Sequence, residues 1–594
     1  MSYRRKKLLA LFFAMALSMT AVAGCTGIKS STGNVVSSET ETNAEETSAQ
    51  SEAGTFSSAD MFTERDLAGT YEESGAVYVT LSDDGITGET DGVVIKGQTV
   101  IITAEGTYIF SGTLSEGQIV VDADNAKVQI VFDNVDITCA SSAAVYVKSA
   151  EKVFVTLAEG SQNTLRNTDE YVAIDDNNID AVIFSKSDLT LNGTGSLTII
   201  SAEGHGIVSK DDLKIIGGTY DITAAGHALS GKDSVRIADG TFILTAEKDG
   251  IHAENADDEE KGYIYIADGD FTITSDGDGM DASNIVQIED GTLDITAGGG
   301  SANSLKTHES DVPGGPGGGM PQNGEKLDGE SMPQMGEKPD GENMPQDTTT
   351  DESGTSTKGI KAGGGMYLNG GTYQIDSADD SIHSNANITI ADGTYTLATG
   401  DDGVHADDAL TVNGGTITVT ESYEGLEGLA VTINDGTIDI TASDDGINTA
   451  GEKMELNGGY IHILAGGDGV DSNGDLTING GEIYIDGPSD NGNSAIDYGD
   501  RSSAYVNGGT LVAIGSSGMA EVMSDSSKQK VLMVKLGEQM EAGNVVLTDS
   551  EGNVIVSYTA LKTYDCVIIS TAEVESGATY TLTTSGTTTE VTAE

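Results

Sequence analysis

The chain has no tryptophan, only 10 phenylalanines and three cysteines among 594 residues. Only Cys139 and Cys566 lie beyond position 25, which excludes a disulfide framework. Because aromatic residues are few, we expect stability from something other than an aromatic core. Basic residues are also scarce, 29 against 96 acidic ones, giving a formal net charge of -67. Such a surface repels phosphate, so nucleic acid is excluded as a partner and cations are favoured.

The N-terminus has the order of charge and apolarity typical of an exported protein. Basic residues at positions 4–7 precede an apolar run that ends at Ala23, and small residues stand before Cys25. This pattern predicts a lipoprotein signal peptide over 1–24 with lipid attached at Cys25; an uncleaved anchor helix is the alternative. The polar stretch 25–65 predicts a disordered tether. We therefore expect an extracellular, monomeric lipoprotein on the cell surface that contacts the membrane through its lipid anchor only.

One signature recurs along the chain: an aliphatic residue, a polar residue, Asp or Gly, Gly, then usually Thr and an alternating strand. Its second glycines are Gly218, Gly240, Gly269, Gly291, Gly371, Gly393, Gly415, Gly436, Gly459, Gly481 and Gly509. Most are 21 to 23 residues apart, with longer spacings of 28, 29 and 80. The period predicts an all-β fold, a right-handed single-stranded parallel β-helix of about 22 residues per coil with three short strands in each. Calcium-binding nonapeptide rolls need a much shorter period.

The segments that interrupt or flank this period divide the chain. The regular coils form a first part over 139–297 and a second over 358–521. Between them, 298–357 is rich in Gly, Pro and Met and predicts a disordered insertion. The segment 66–138 predicts an N-terminal β cap with the first coils, and 522–594 a C-terminal β-rich cap, because open ends of a β-helix expose unpaired strand edges.

A second signature, an acidic pair followed by Gly and an aliphatic residue, lies half a coil from the first. If the coils stack in register, these carboxylates form a column about 4.8 Å apart, in which neighbouring charges repel by about 1 kcal/mol in bulk water. Calcium suits such a column as a cofactor. The residues predicted as metal ligands are Asp276, Asp278, Asp281, Asp379, Asp380, Asp401, Asp402, Glu424, Asp444, Asp445, Asp468 and Asp471. The alternative is that each aspartate caps its own turn and faces solvent.

Three histidines, His252, His383 and His405, share one position of the coil. A role as metal ligands is one interpretation. An exposed histidine ladder is favoured, because no cysteine or second histidine lies at a suitable spacing in the sequence.

Several stretches resemble a bacterial family of carbohydrate-binding parallel β-helix proteins, common as surface lipoproteins in clostridia. The matching stretches are 144–150, 157–160, 185–189, 204–213, 231–235 and 421–428. The resemblance implies binding of cellulose and of acid sugars such as polygalacturonate, calcium sites, and a fold similar to that of calcium-dependent pectate lyases. It does not assign calcium ligands residue by residue, and the residues that contact carbohydrate remain unknown.

Three functions fit these features. A noncatalytic protein that binds acidic polysaccharide through calcium is favoured, since the absence of Trp argues against stacking on neutral sugars. A calcium-dependent polysaccharide lyase is the first alternative, with Lys210, Lys232, Arg236, Lys248 and Arg501 as the candidate bases. The second is a structural surface adhesin or spacer.

Overall fold

The computed structural model describes residues 55–306, 356–451, 453–499 and 501–593. The predicted signal peptide, Cys25, the first thirty residues of the predicted tether and positions 307–355 of the insertion lie outside the described residues. In the part that is described, no helix has the length and apolarity needed to cross a membrane.

Each coil runs in turn through three parallel sheets, so the predicted parallel β-helix is confirmed. Sheet 1 contains Thr99–Ile102, Gln118–Asp122, Val145–Ser149, Ala181–Ser185, His205–Ser209, Leu229–Gly231, Ile251–Ala253, Met280–Ala282, Ile360–Ala362, Ile382–Ser384, Ile447–Thr449, Val470–Ser472 and Ile496–Tyr498. Sheet 2 contains Val77–Leu81, Lys152–Leu157, Asp188–Gly193, Asp212–Ile215, Ser234–Ile237, Tyr263–Ile266, Val286–Ile288, Met366–Leu368, Ile388–Ile390, Met454–Leu456, Leu476–Ile478 and Ala504–Val506.

Sheet 3 follows the repeated glycines. It contains Gln162–Asn167, Ser196–Ser201, Thr219–Ala224, Thr241–Ala246, Asp270–Ser275, Thr292–Ala297, Thr372–Ser377, Thr394–Thr399, Thr416–Glu421, Thr437–Ala442, Tyr460–Ala465, Glu482–Asp486 and Thr510–Gly515. Four longer strands bend from one sheet to the next. Gly106–Leu114 and Lys127–Thr138 belong to sheets 2 and 3, and Val404–Val412 and Leu426–Ile433 to sheets 1 and 2.

The interior is filled by aliphatic side chains that alternate with outward polar ones. In Thr437–Ala442, Ile438 and Ile440 are fully buried and Thr437 is exposed, as the period of two requires. The expectation that aromatic packing contributes little is wrong in part. Buried rings stack from coil to coil in sheet 3, with centroids 4.7 Å apart for Phe242 and Phe271. The 22-residue register places rings of successive coils above one another in sheet 3, in one stack from Tyr220 to Phe271 and another of Tyr373 and Tyr395.

The repeated glycine lies at the corner before sheet 3, where the chain turns. The position requires glycine because a side chain there would clash with the backbone of the preceding coil. Gly459 has a φ of 82°, and a Cβ on it would lie 2.6 Å from the carbonyl oxygen of Gly436. Positive φ of this size is costly for residues with a side chain. The aspartate in this signature caps its own turn: Asp435 Oδ1 accepts the Gly436 N–H at 2.8 Å.

Antiparallel strands cover both ends of the solenoid. Val93–Lys96 pairs antiparallel with the first strand of sheet 1. At the other end, Tyr564–Ser570 pairs antiparallel with the last strand of sheet 3 and with Leu532–Met540. A separate four-stranded sheet follows, made of Val554–Ala560, Gly543–Thr548, Thr579–Thr583 and Thr588–Thr592 in that order.

The last residues of the predicted tether are folded, which the sequence did not indicate. They form the helices Ser58–Met61 and Glu64–Ala68, the second with a capping box between Thr63 and Asp66. Phe56 packs on Tyr263 with ring centroids 4.4 Å apart. This short apolar segment packs on the outer face of sheet 2. It could not be recognised in the sequence because the residues before it are mostly polar. The start of the predicted insertion is also ordered, with a 3₁₀ turn at Ser301–Asn303.

Candidate functional site

The corner that leads into sheet 1 carries two vertical columns of polar side chains, most of them ionisable. We call the first the turn column; its members precede each strand of sheet 1 and are His205, His227, Asp249, Asp278, Lys358, Asp380, Asp402, Glu424, Asp445, Asp468 and Ser494. The second, the strand column, holds the outward middle residues of sheet 1: Ser230, His252, Asp281, Lys361, His383, His405, Glu427, Asn448, Asp471 and Asp497.

The carboxylates of the turn column bind backbone of the neighbouring coil. Asp380 Oδ1 accepts the N–H of Asp402 at 3.1 Å, and Asp402 Oδ1 accepts that of Glu424 at 3.2 Å. Asp445 Oδ1 accepts the N–H of Asp468 at 2.6 Å. The side chains are therefore vertical neighbours. These aspartates do not cap their own turns, as the alternative interpretation held, whereas the predicted ligand Asp379 does, since its Oδ1 accepts the N–H of Asp380 at 2.9 Å. A buried N–H needs an acceptor, and this need selects Asp at the position.

Lysines from the edges of the insertion neutralise the middle of the columns. Lys358 Nζ lies 2.9 Å from Asp379 and 2.6 Å from Asp380, and Lys306 Nζ lies 2.6 Å from Asp379 and also pairs with Asp401. Although burial lowers the pKa of Lys358, the two aspartates raise it above its ordinary value. These predicted metal ligands are brought together, but two lysines already balance part of their charge.

The predicted exposed histidine ladder is wrong. The side chains of His252 and His383 are only 15% and 12% exposed, and each lies about one hydrogen-bond length from an aspartate of the turn column. His405 contacts Asp402 at 3.0 Å and Glu427 at 3.1 Å. Burial lowers the pKa of His405, but these carboxylates raise it more, to about 10. The 22-residue register brings together histidines that are distant in sequence.

Nearer the C-terminal end, three carboxylates meet without a cation. We call Asp445, Asp468 and Asp471 the carboxylate cluster; one oxygen of each lies within 4.8 Å of the others. Among the described side chains, no Lys, Arg or His forms an ion pair with them. Burial, and then the charge of Asp444, raises the pKa of Asp445 to about 8. Burial likewise raises the pKa of Asp468 to about 7 and, with the charge of Asp497, that of Asp471 to about 6.

The cluster fits calcium by its donor chemistry. All its ligand atoms are oxygens, and beside them the buried Oδ1 of Asn448 has no hydrogen-bond partner. The absence of a side chain at Gly467 leaves space beside the carboxylates: a Cβ there would lie 2.2 Å from Asp444 Oδ1 and 2.5 Å from Asp445 Oδ1. Calcium takes six to eight oxygens, including carboxylates, side-chain amides and water. These residues could therefore hold it with coordination positions to spare.

The remaining predicted ligands are more scattered. Asp276 is exposed and lines a different cleft, of about 390 Å³, with Glu247 and Lys306. Asp278 is buried beside Lys361, and Asp281 lies between Lys361 and His252. Burial, and then the charge of Asp402, raises the pKa of Glu424 well above its ordinary value.

At the N-terminal end of the same face, another cleft of about 390 Å³ is lined by histidines and lysines. It includes His205, His227, His252, Lys210, Lys232 and Lys248. Three of the five candidate bases thus share one cleft. Of the other two, Arg236 forms a two-pronged ion pair with Asp212, with both distances 3.0 Å. His205, His227 and Asn448 were not among the predicted site residues. Counting back 22 residues from Asp249 gives His227 and then His205, and counting back 23 from Asp471 gives Asn448.

Fold and site together define the class of protein. It is a parallel β-helix solenoid with a face of ionisable side chains that runs along several coils, and such a surface is suited to extended ligands. The chain belongs to the carbohydrate-binding domain-containing protein family, which matches residues 96–403 and 401–551. The resemblance to a carbohydrate-binding family is thereby confirmed.

Two further proteins are similar to parts of this chain. The chain is 42% identical over 135 residues to a carbohydrate-binding domain-containing protein of Acetivibrio thermocellus, which is 22% of this chain and 47% of that protein. The chain thus spans about half the length of this curated relative. A solved polysaccharide lyase-like protein from C. thermocellum, in a gadolinium derivative, is 37% identical, with 38% of this chain and 92% of that chain covered and a TM-score of 0.37.

Proposed function

We propose that the protein is a noncatalytic carbohydrate-binding protein of the cell surface that binds acidic polysaccharide through calcium. The observation that carries the proposal is the carboxylate cluster, Asp445, Asp468 and Asp471, whose charges no described cation balances. Membership in a carbohydrate-binding family supports a polysaccharide as the partner.

Calcium would allow an acidic polysaccharide to bind to an acidic protein. A polyuronate is repelled by a chain of net charge -67. A divalent ion shared by protein and sugar carboxylates replaces this repulsion by attraction. The cluster engages only part of the coordination sphere of calcium, so uronate oxygens and water can complete it. Because the columns continue along sheet 1, a polymer can contact several coils at once.

The position of the protein follows from its first residues. We propose that it is exported, lipidated at Cys25 and held at the membrane by this lipid alone, as a monomer. The stretch from Cys25 to the folded solenoid would then hold the binding face away from the membrane. Labelling with a fatty-acid analogue, and its loss in Cys25→Ala, tests this part of the proposal.

The binding experiment compares polygalacturonate and cellulose, each with calcium and with a chelator. We expect polygalacturonate binding in calcium, and its loss in chelator and in the double variant Asp445→Asn/Asp468→Asn. Asp435→Asn removes the same type of charge from a turn at another corner and serves as the control. Binding unaffected by chelator and by the double variant would overturn the calcium proposal. No binding to either polymer would favour the adhesin or spacer.

The cleft that holds Lys210, Lys232 and Lys248 keeps the lyase as a second candidate. In that reaction calcium acidifies the proton beside a uronate carboxyl group and a neutral amine removes it. The same titration is therefore followed in the ultraviolet, where the unsaturated product absorbs. Absorbance that grows with time in calcium, and is lost in Lys248→Met, would establish the lyase.

A further inference from the structure

Two histidines of the histidine and lysine cleft, His227 and His252, form a ligand set of another type together with Asp249. His227 Nδ1 lies 3.0 Å from Asp249 Oδ2, and His252 Nδ1 lies 3.0 Å from the same oxygen. The ligand atoms of all three residues lie within 4.8 Å of one another. Two imidazole nitrogens and one carboxylate oxygen are a donor set that divalent transition metals prefer, whereas calcium selects oxygen alone.

The spacing of these atoms matches coordination. In a tetrahedral zinc site with bonds of about 2.0 to 2.1 Å, neighbouring ligand atoms are about 3.3 Å apart. The two nitrogen-to-oxygen separations of 3.0 Å are close to that value, and the two nitrogens lie within 4.8 Å of each other. The rings of His227 and His252 stack with centroids 4.1 Å apart, so both nitrogens face the aspartate from one side.

The ligand atoms are only weakly satisfied by the protein. His252 Nδ1 is buried beside Asp249 Oδ2 and Asp281 Oδ2 but makes no well-aligned hydrogen bond to either; His383 Nδ1 is in the same situation beside Asp380, whereas His405 Nδ1 does bond its aspartate. His227 Nδ1 accepts only the Asp249 N–H, at 3.3 Å, beyond the usual range for such bonds. A buried polar atom without a partner is costly, and an ion between the three residues would remove the cost.

The surroundings support coordination. His252 Nε2 lies 3.5 Å from Glu254 Oε2, and metal-binding histidines usually offer their second nitrogen to a carboxylate. Asp281 Oδ2 lies 3.5 Å from His252 Nδ1 and could add a fourth oxygen. The cleft gives access from solvent, since the side chains of His227 and His252 are 14% and 15% exposed.

We propose that His227, Asp249 and His252 bind a divalent transition-metal ion of zinc type, at a site separate from the carboxylate cluster. The ion would join two successive coils, because His227 comes from one corner and Asp249 and His252 from the next. It would also bring a Lewis acid to a cleft lined by three lysines, where an anionic group of a ligand can reach it.

The test is titration of the full chain with Zn²⁺, and with Co²⁺ as an optical probe, in excess calcium to fill oxygen sites. We expect one ion per chain, bound at least tenfold more weakly by His252→Ser. Serine is chosen because Ser230 occupies the same column position in the adjacent coil, so the fold should accept it. His227→Ala should give a similar loss, and the cobalt spectrum should show nitrogen ligation.

Two control variants separate this site from the others. His462→Ala removes a histidine that pairs with Asp439 outside the cleft, and Asp445→Asn alters the carboxylate cluster. Neither should change zinc affinity. The proposal is overturned if calcium abolishes zinc binding, if His252→Ser binds as the wild type does, or if His462→Ala loses as much affinity. Failure here leaves the calcium-dependent binding of polygalacturonate as a separate question.

Discussion

Replacing Asp445 by Asn should change stability in opposite directions with and without calcium. The amide keeps an oxygen that can accept the Asp468 N–H and removes only the charge. Two carboxylate pairs within 4.8 Å then disappear, each worth about 1 kcal/mol even at the dielectric constant of water. The metal-free variant should therefore be more stable than the wild type by at least about 2 kcal/mol.

The effect of Asp445 on the free energy of unfolding should also depend on pH, with a sign that follows from its raised pKa. Burial and neighbouring charges raise the pKa of Asp445 to about 8 in the folded chain, so the folded state holds this proton more tightly than the unfolded one. The contribution of Asp445 to metal-free stability is therefore most favourable below about pH 4 and falls as pH rises toward 8. Asp445→Asn should flatten part of this decline, whereas Asp435→Asn, with the same charge change at another corner, should not.

Thermal unfolding in chelator and in calcium measures both effects. For a folded unit of roughly 500 residues the unfolding entropy is about 1 kcal/mol/K, so 2 kcal/mol raises Tm by about 2 °C. In calcium the order should reverse, because the variant loses a charged ligand and with it about 100-fold in affinity, which is about 2.8 kcal/mol and exceeds the gain from removing the charge. If the variant has the lower Tm in chelator as well, the carboxylates do not repel and the reasoning about the cluster is wrong.

Three further predictions concern the coil, the N-terminal helix and the lysines. Gly459→Ala should cost at least about 2 kcal/mol in denaturant unfolding, because of its positive φ and the 2.6 Å approach to Gly436; an unchanged midpoint would contradict the turn geometry. Burial raises the pKa of Asp66, but its bond to Lys152 and its capping bonds lower it further, to about 2. Its contribution of roughly 2.5 kcal/mol is thus present above about pH 4 and lost as pH falls through 2, and Asp66→Asn should remove this acid dependence of unfolding. Lys358→Met should add calcium binding at Asp380, measured as an extra ion per chain by calorimetry; an unchanged ion count would contradict the view that this lysine occupies the place of a cation.

The fold could be predicted because each coil of a solenoid has nearly the same length, so that the sequence repeats with the period of the coil. Gly436, Gly459 and Gly481 are 23 and 22 residues apart, and each has positive φ at the same corner. The vertical order of Asp402, Glu424 and other carboxylates followed from the same spacing. The helices before Ala68 could not be predicted in this way, because they depend on contacts with side chains such as Tyr263, far away in sequence.

The local sequence pattern does not distinguish an acidic pair that could bind a metal ion from one that is already paired with a lysine. Asp379–Asp380 and Asp444–Asp445 are both acidic pairs at the same corner, and in both the second aspartate accepts a backbone N–H of the next coil. The need for an acceptor therefore explains both pairs without any metal. They differ because Lys358 reaches the first pair, whereas no described cation pairs with the second. Binding of an external ion is thus decided by the neighbours of the repeat, and it is expected where the protein supplies no cation of its own.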